Sequence, residues 1–302
     1  VRRHQPVMLD EVINMLQIKE RATVLDGTVG HGGHAAAMLR KAGPYGRLIA
    51  FDWDESMIAR ATESLEDIPG SKSFVHADYR RIPEILDGIG VDEVDAVLLD
   101  FGVNLEHFED VERGFSFQGD APLDMRMDRS AKETAAAWLG RATEQEIVRV
   151  LREYGGERHA GLIAREIVKR RKEGKMRRTS DLVAAVESAV PPRLREKRIH
   201  QATRTFQAIR IQVNRELDDL QSAIQEIAMR LSDGGRLVTL SYHSGEDAAA
   251  KHAFRELAKS GAFQVLTKSP MRPTEDEVTV NPSSRSAKLR AIERINTQEN
   301  HS

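Results

Sequence analysis

The chain has 302 residues and not one cysteine among them. That absence excludes disulfides, thiolate metal sites and any cysteine nucleophile. No hydrophobic run approaches the length of a membrane span, and the N-terminal VRRHQPVML lacks the apolar core of a signal peptide. A cytoplasmic protein is the expectation. Internal repeats and low-complexity stretches are also missing. Net charge is nearly absent at −2, which by itself argues for no partner.

What is present is a folded composition, 40% hydrophobic and 30% charged. A chain this long can bury a large core, as one domain with an insert or as two domains. The charge is unevenly placed. Residues 152–215 carry 17 Lys and Arg against 7 Asp and Glu, a local excess of +10, so the remainder carries −12. A few like charges make only a solvated helix face, whereas an excess of this size in one segment suits a polyanion such as nucleic acid.

The stretch that organises the chain is TVLDGTVGHGGH, from Thr23 to His34. A short apolar run ends in Asp26, glycines follow at positions 30, 32 and 33, and a helix-forming alanine run comes next. Strand, glycine turn and helix form the unit that holds a nucleoside cofactor at the carboxyl edge of a parallel sheet. A second run, RLIAFDWD, ends in Asp52, and an acid there can accept both hydroxyls of a ribose. Asp54 is the better N-cap for the helix that follows, which leaves Asp52 available. The glycine spacing departs from the dinucleotide fingerprint, since the last glycine position falls on Ala35. A dinucleotide-dependent oxidoreductase is therefore the weaker reading.

Strand-like and helix-like segments alternate as far as VDAVLLD, which ends at Asp100. Continuous apolar runs of this kind suit parallel strands buried on both faces. The alternation then stops. Residues 101–130 look like loops, and the following segments are helical in pattern and basic. One long helix is expected from about Thr205 to Leu231, then a strand, RLVTLSYHS, another helix and a closing antiparallel pair. The predicted fold is α/β: a Rossmann-like sheet, mostly parallel with an antiparallel edge, interrupted by an all-helical insertion. The expected boundaries are 1–113 and 206–302 for the sheet domain and 114–205 for the insertion. Candidate site residues gather at strand ends: Asp26, Asp52, Asp78 with Tyr79, Asp100, and Ser241 with His243. Tyr79 suits either a core position or stacking on an adenine. His31 and His34 lack a convincing set of further ligands, so no metal is expected.

The segments LDGTVGHGGH, RGFSFQGDAPLDMRMD, HQATRTFQAIRIQVNRELDDL, GGRLVTLSYHSGED and NPSSRSAKLRAIERI resemble, in order and spacing, the MraW/RsmH family. The similarity covers nearly the whole chain. It implies a class I methyltransferase fold and an S-adenosylmethionine-dependent enzyme methylating N4 of a cytidine in 16S rRNA of the small ribosomal subunit, in the decoding region. By the match, Gly32, Gly33, His34, Asp52, Tyr79 and Asp100 would contact S-adenosylmethionine. His107 stands where the family has a further cofactor-contacting glutamine. Two departures stand out. Asn104-Leu105-Glu106-His107 replaces Ser-Ser-Pro-Gln after the fourth strand, and SFHSLED reads SYHSGED here, placing a glycine at 245. A non-catalytic or retargeted RNA-binding relative that keeps the cofactor site is therefore the alternative.

Methyl transfer from a sulfonium is a direct displacement, so alignment and exclusion of water carry most of the work. The exocyclic amine of cytosine has a delocalised lone pair, and an acceptor hydrogen-bonded to it would localise that pair and take a proton. Asp100, His243 and Ser241 are the candidates. The lack of cysteine argues against attack at cytosine C5, which proceeds through a thiolate adduct. In the basic insertion, Arg177, Arg178, Arg193, Arg195, Lys197, Arg198, Arg204 and Arg210 are the expected phosphate contacts. A homodimer is left open.

Overall fold

The apolar runs ending in acids become the central strands of one sheet. A computed structural model of the chain describes residues 5–103, 108, 110–195 and 199–295. Among them, seven strands form a sheet of order β3-β2-β1-β4-β5-β7-β6. These are β1 (Thr23–Asp26), β2 (Arg47–Asp52), β3 (Ser71–His76), β4 (Val94–Asp100), β5 (Leu231–Ser241), β6 (Phe263–Val265) and β7 (Lys288–Arg294). Strands β1 to β5 pair in parallel, while β7 runs antiparallel to both β5 and β6. The order reverses at β1, which lies between β2 and β4, and that switch point is where an open α/β sheet opens a crevice for ligands.

Helices α1 (Leu9–Leu16), α2 (Gly33–Ala42), α3 (Glu55–Ser64), α4 (Ile82–Gly88), α10 (Leu220–Ala228), α11 (Ser244–Lys259) and α12 (Glu275–Val280) accompany the sheet. One core cluster takes Val12 and Leu16 from α1, Met38 and Leu39 from α2, and Val24, Leu48, Leu98, Val238 and Leu289 from five strands. Asp54 caps α3 by accepting from the Ser56 N–H at 2.9 Å, as the sequence leads one to expect.

The chain divides into two compact units, one built from Val1–Gly102 and Asp219–Ser302, the other from Val103–Asp218. The second unit is wider at both ends than the 114–205 expected. It contains α5 (Ala135–Arg141), α6 (Glu144–Glu153), α7 (Ala160–Lys172), α8 (Thr179–Ala189) and α9 (Thr203–Asn214). A Thr143–Glu146 capping box starts α6, and Thr134 caps α5. No described helix is long and apolar enough to cross a membrane.

The single helix expected from Thr205 to Leu231 is two helices. Arg215 adopts φ +52° and closes α9, and Asp219, also at +52°, precedes α10. The break is held by side chains of the second unit. Arg210 donates to both carboxylate oxygens of Glu216 at 2.9 and 2.7 Å, and the Asn214 amide donates to the Met125 carbonyl at 2.7 Å.

Candidate active site

Three carboxylates end neighbouring strands in the sheet unit: Asp26 on β1, Asp52 on β2 and Asp100 on β4. Asp26 accepts from the Thr28 N–H at 3.1 Å. Asp52 is held by two backbone amides, with Oδ2 taking the Gly30 N–H and Oδ1 the Asp54 N–H, both at 2.9 Å. The glycine turn makes this geometry available. Gly30 and Gly32 sit at φ +50° and +81°, a region costly for residues with a Cβ. Gly32 is also crowded, because a Cβ there would come within 2.9 Å of Ser64 Oγ. At Gly33 the added carbon would fall 2.4 Å from Pro6.

Burial dominates the electrostatics of the three acids. It pushes Asp26 and Asp100 up to about 7 and Asp52 up to about 6, against backbone and hydroxyl donors that favour the charged forms. Their mutual repulsion adds to the effect, Asp52 acting on Asp26 and Asp26 on Asp100. Such a set suits a ligand that brings positive charge and hydroxyl donors. The donor chemistry thus fits a cationic nucleoside. It offers carboxylates for ribose hydroxyls and for an ammonium or sulfonium, beside a turn of glycines.

Asp100 Oδ1 accepts from the Tyr242 phenol at 2.8 Å, and Oδ2 lies 3.7 Å from His34 Nδ1. His34, in the first turn of α2, is anchored by Nε2, which lies 2.9 Å from the Val7 carbonyl. Tyr79 follows β3 and is buried between Trp53 and Phe101, at ring-centroid distances of 6.2 and 5.7 Å. Asp78 is spent on Arg80, which it binds through both oxygens. His107 and its neighbours Asn104 to Glu106 lie outside the described residues.

Two expected catalytic side chains have local structural surroundings of their own. Ser241 is 0% exposed, and its hydroxyl is buried without a hydrogen-bond partner among the described residues. It is a core residue of β5. His243 is the N-cap of α11: its Nδ1 accepts from the Gly245 and Glu246 N–H groups at 3.2 and 3.5 Å. Its Nε2 lies 3.1 Å from Glu246 Oε1. The Nδ1 lone pair is thus taken up by the first turn of the helix. Sequence reasoning missed Tyr242 because an aromatic at a strand end is more often core than polar partner.

In the helical unit, the expected phosphate contacts separate into groups. Arg177 and Arg193 are exposed. Arg178 pairs with Asp120, and Arg195 donates to the carbonyls of Val190 and Glu187 at 3.1 and 2.8 Å. Arg210 is committed to Glu216, with only 13% and 5% of the two side chains exposed. It is a structural ion pair and does not offer its charge to a phosphate. Lys197 and Arg198 lie outside the described residues. Arg195 and Arg204 border a small recess together with Arg158 and His200, whose ring stacks on Phe117 at 4.6 Å.

The segment RGFSFQGDAPLDMRMD forms a clamp within this unit. Buried Arg113 donates to the carbonyls of Arg126 and Met127, Asp124 pairs with Arg126, and Asn214 bridges Met125 and Met127. Met125 is held at φ +62°.

A family model described as the MraW methylase family matches residues 1–295. Among curated relatives, the ribosomal RNA small subunit methyltransferase H of Geobacter sp. (strain M21) is 42% identical, over 97% of this chain and 98% of its own length. The protein of that name from Ralstonia nicotianae is 43% identical, over 97% of each chain. A third, from Symbiobacterium thermophilum, is 39% identical over 98% of each.

Proposed function

Since the chain belongs to the MraW methylase family, we propose that it transfers a methyl group from S-adenosylmethionine to N4 of a cytidine in the decoding region of 16S rRNA. Methylation of ribosomal RNA is the activity, and S-adenosylmethionine is the cofactor. Bound in the site, this cofactor supplies a methyl group activated by attachment to a sulfonium. Asp52 and the glycine turn would hold its nucleoside, with Asp26, His34, Tyr79 and Asp100 beside it. The observation that carries the reading is the row of carboxylates Asp26, Asp52 and Asp100 at the switch point of the sheet, in a chain of this family.

N4 as the target is supported by chemistry of two kinds. Without cysteine the chain cannot form the thiolate adduct that C5 attack requires. Asp100, at the carboxyl end of β4, would offer its Oδ2 as the acceptor for the proton of an exocyclic amine. The helical unit would bind the RNA, with exposed Arg177 and Arg193 and recess-lining Arg195 and Arg204 as phosphate contacts. Recognition by shape suits a substrate that is a folded RNA within the small subunit. Such a substrate would be met in the cytoplasm.

The test is transfer of labelled methyl from S-adenosylmethionine to small ribosomal subunits lacking the modification, with the product nucleoside identified by mass. N4-methylcytidine is expected. Cofactor binding without transfer would instead favour the RNA-binding relative.

A further inference from the structure

Tyr242 stands where β5 gives way to α11, and its phenol donates to Asp100 Oδ1 at 2.8 Å. The contact is fixed from three sides. The Tyr242 N–H donates to Glu246 Oε2 at 2.8 Å, and the Asp100 N–H donates to Thr28 Oγ1 at 2.7 Å. Gly102, at φ +106°, packs on the tyrosine ring so closely that a Cβ there would meet it at 3.3 Å. Asp100 Oδ2 is placed differently, 3.7 Å from His34 Nδ1. His34 Nε2 lies 2.9 Å from the Val7 carbonyl, and at 3.7 Å its Nδ1 is beyond hydrogen-bond distance of Oδ2. One carboxylate oxygen is therefore held by a donor, and the other has no hydrogen-bond donor among the described residues.

We propose that Tyr242 is a positioning residue for the transfer: its phenol holds Oδ1 of Asp100, fixes the plane of the carboxylate and leaves Oδ2 to accept the amine proton. The proposal rests on the transferase reading above. As the amine nitrogen bonds to the methyl carbon, the carbon–sulfur bond breaks and its electron pair stays on sulfur. The surplus proton on nitrogen then passes to Asp100 Oδ2.

The groups facing Asp100 are Asp26 from β1, Glu246 from α11, His34 from α2 and Tyr242 itself. Burial, with Asp26 and Glu246, favours the protonated acid, and the Tyr242 hydrogen bond opposes them. Burial, with the charge of Asp100, also raises the phenol well above its ordinary range, so Tyr242 remains a donor at every working pH.

The experiment is Tyr242→Phe, which removes one hydroxyl and keeps the ring. Two measurements are made beside the wild type. The first is the carboxyl-carbon NMR titration of Asp100 in protein without cofactor, assigned with Asp100→Asn. The second is the pH profile of kcat on small subunits. The Asp100 midpoint should rise by about one pH unit, as expected for loss of one hydrogen bond to a charged group. Activity at saturating cofactor should fall about tenfold at pH 6.5 and recover near pH 9, where KM for S-adenosylmethionine should lie within about twofold of wild type. Coincident titrations and coincident acid limbs would overturn the proposal, as would a loss equal at every pH. A wild type that transfers no methyl would refute the transferase reading, and with it the catalytic use of this contact, even if the two titrations differ.

Discussion

Replacing Asp26 by asparagine isolates the energetic cost of the acid row. Asp26 is 1% exposed, and burial pushes it up to about 7. Asparagine keeps an acceptor for the Thr28 N–H at 3.1 Å and removes the ionisation, with an amide NH2 in place of one oxygen. In the wild type, the folded chain holds a proton on Asp26 between about pH 4 and pH 7 while the unfolded chain has released it. Stability therefore falls as pH rises through that window. A shift of about three units corresponds to about 4 kcal/mol in full, of which about 2.5 kcal/mol falls between pH 5 and pH 8. The Asp26→Asn protein should escape this loss. Its unfolding free energy relative to wild type should improve by about 2–3 kcal/mol on going from pH 5 to pH 8. Relief of Asp100, whose own ionisation Asp26 opposes, acts in the same direction. Urea denaturation of both proteins without cofactor, at the two pH values, measures it. A stability difference that stays constant within about 0.5 kcal/mol would refute the protonated, buried Asp26 described above.

Cofactor affinity follows from the same acids: binding of a cation favours their charged forms. The dissociation constant should tighten from pH 6 to pH 8 with net proton release, measured by calorimetry in buffers of different ionisation heat; a flat profile would contradict it. Gly32→Ala meets both φ +81° and a 2.9 Å approach to Ser64 Oγ, and should lower stability by about 1–3 kcal/mol in thermal unfolding. An unchanged melting temperature would mean that the turn relaxes. Charge reversal of exposed Arg177 and Arg193 should weaken RNA binding and reduce its salt slope by about 1 per lost phosphate contact. Arg210→Ala leaves Glu216 buried and unpaired and should cost about 3–5 kcal/mol of stability. RNA affinity of the folded fraction should keep its salt slope, and a reduced slope would make Arg210 a phosphate contact after all.

The parallel half of the sheet was legible because β1, β2 and β4 are continuous apolar runs closed by acids, a pattern that local sequence alone determines. The same holds for Asp54, whose capping role depends on a neighbour two residues away. The break between α9 and α10 was not legible. It is held by Arg210 with Glu216 and by Asn214 with a loop some ninety residues earlier in sequence, and no helical periodicity records such partners. Ser241 and His243 fell at a strand end, where ligands gather, but residue type does not say which way a side chain turns. One went into the core and the other onto a helix amide. PLDMRMD stood out as a family mark, while its work in this unit, a clamp around Met125 and Met127, appeared only once Asn214 and Arg113 were located.

The interruption of the sheet between β4 and β5 sets the order in which a nascent chain can finish folding. Strands β1 to β4 are complete once residue 100 is made, yet β4, paired with β1 on one side, has as its partner on the other side β5, which begins at Leu231. At ordinary rates of translation, the intervening residues take on the order of ten seconds to synthesise. During that interval the half-sheet presents β4 as an open edge, with backbone donors and acceptors unmet and an apolar face uncovered. Folding of the helical segment does not close that edge, because the paired strand comes after it. The cell therefore meets this protein first as a waiting template for strand addition, and conditions that slow elongation past residue 100 should raise its demand for chaperones.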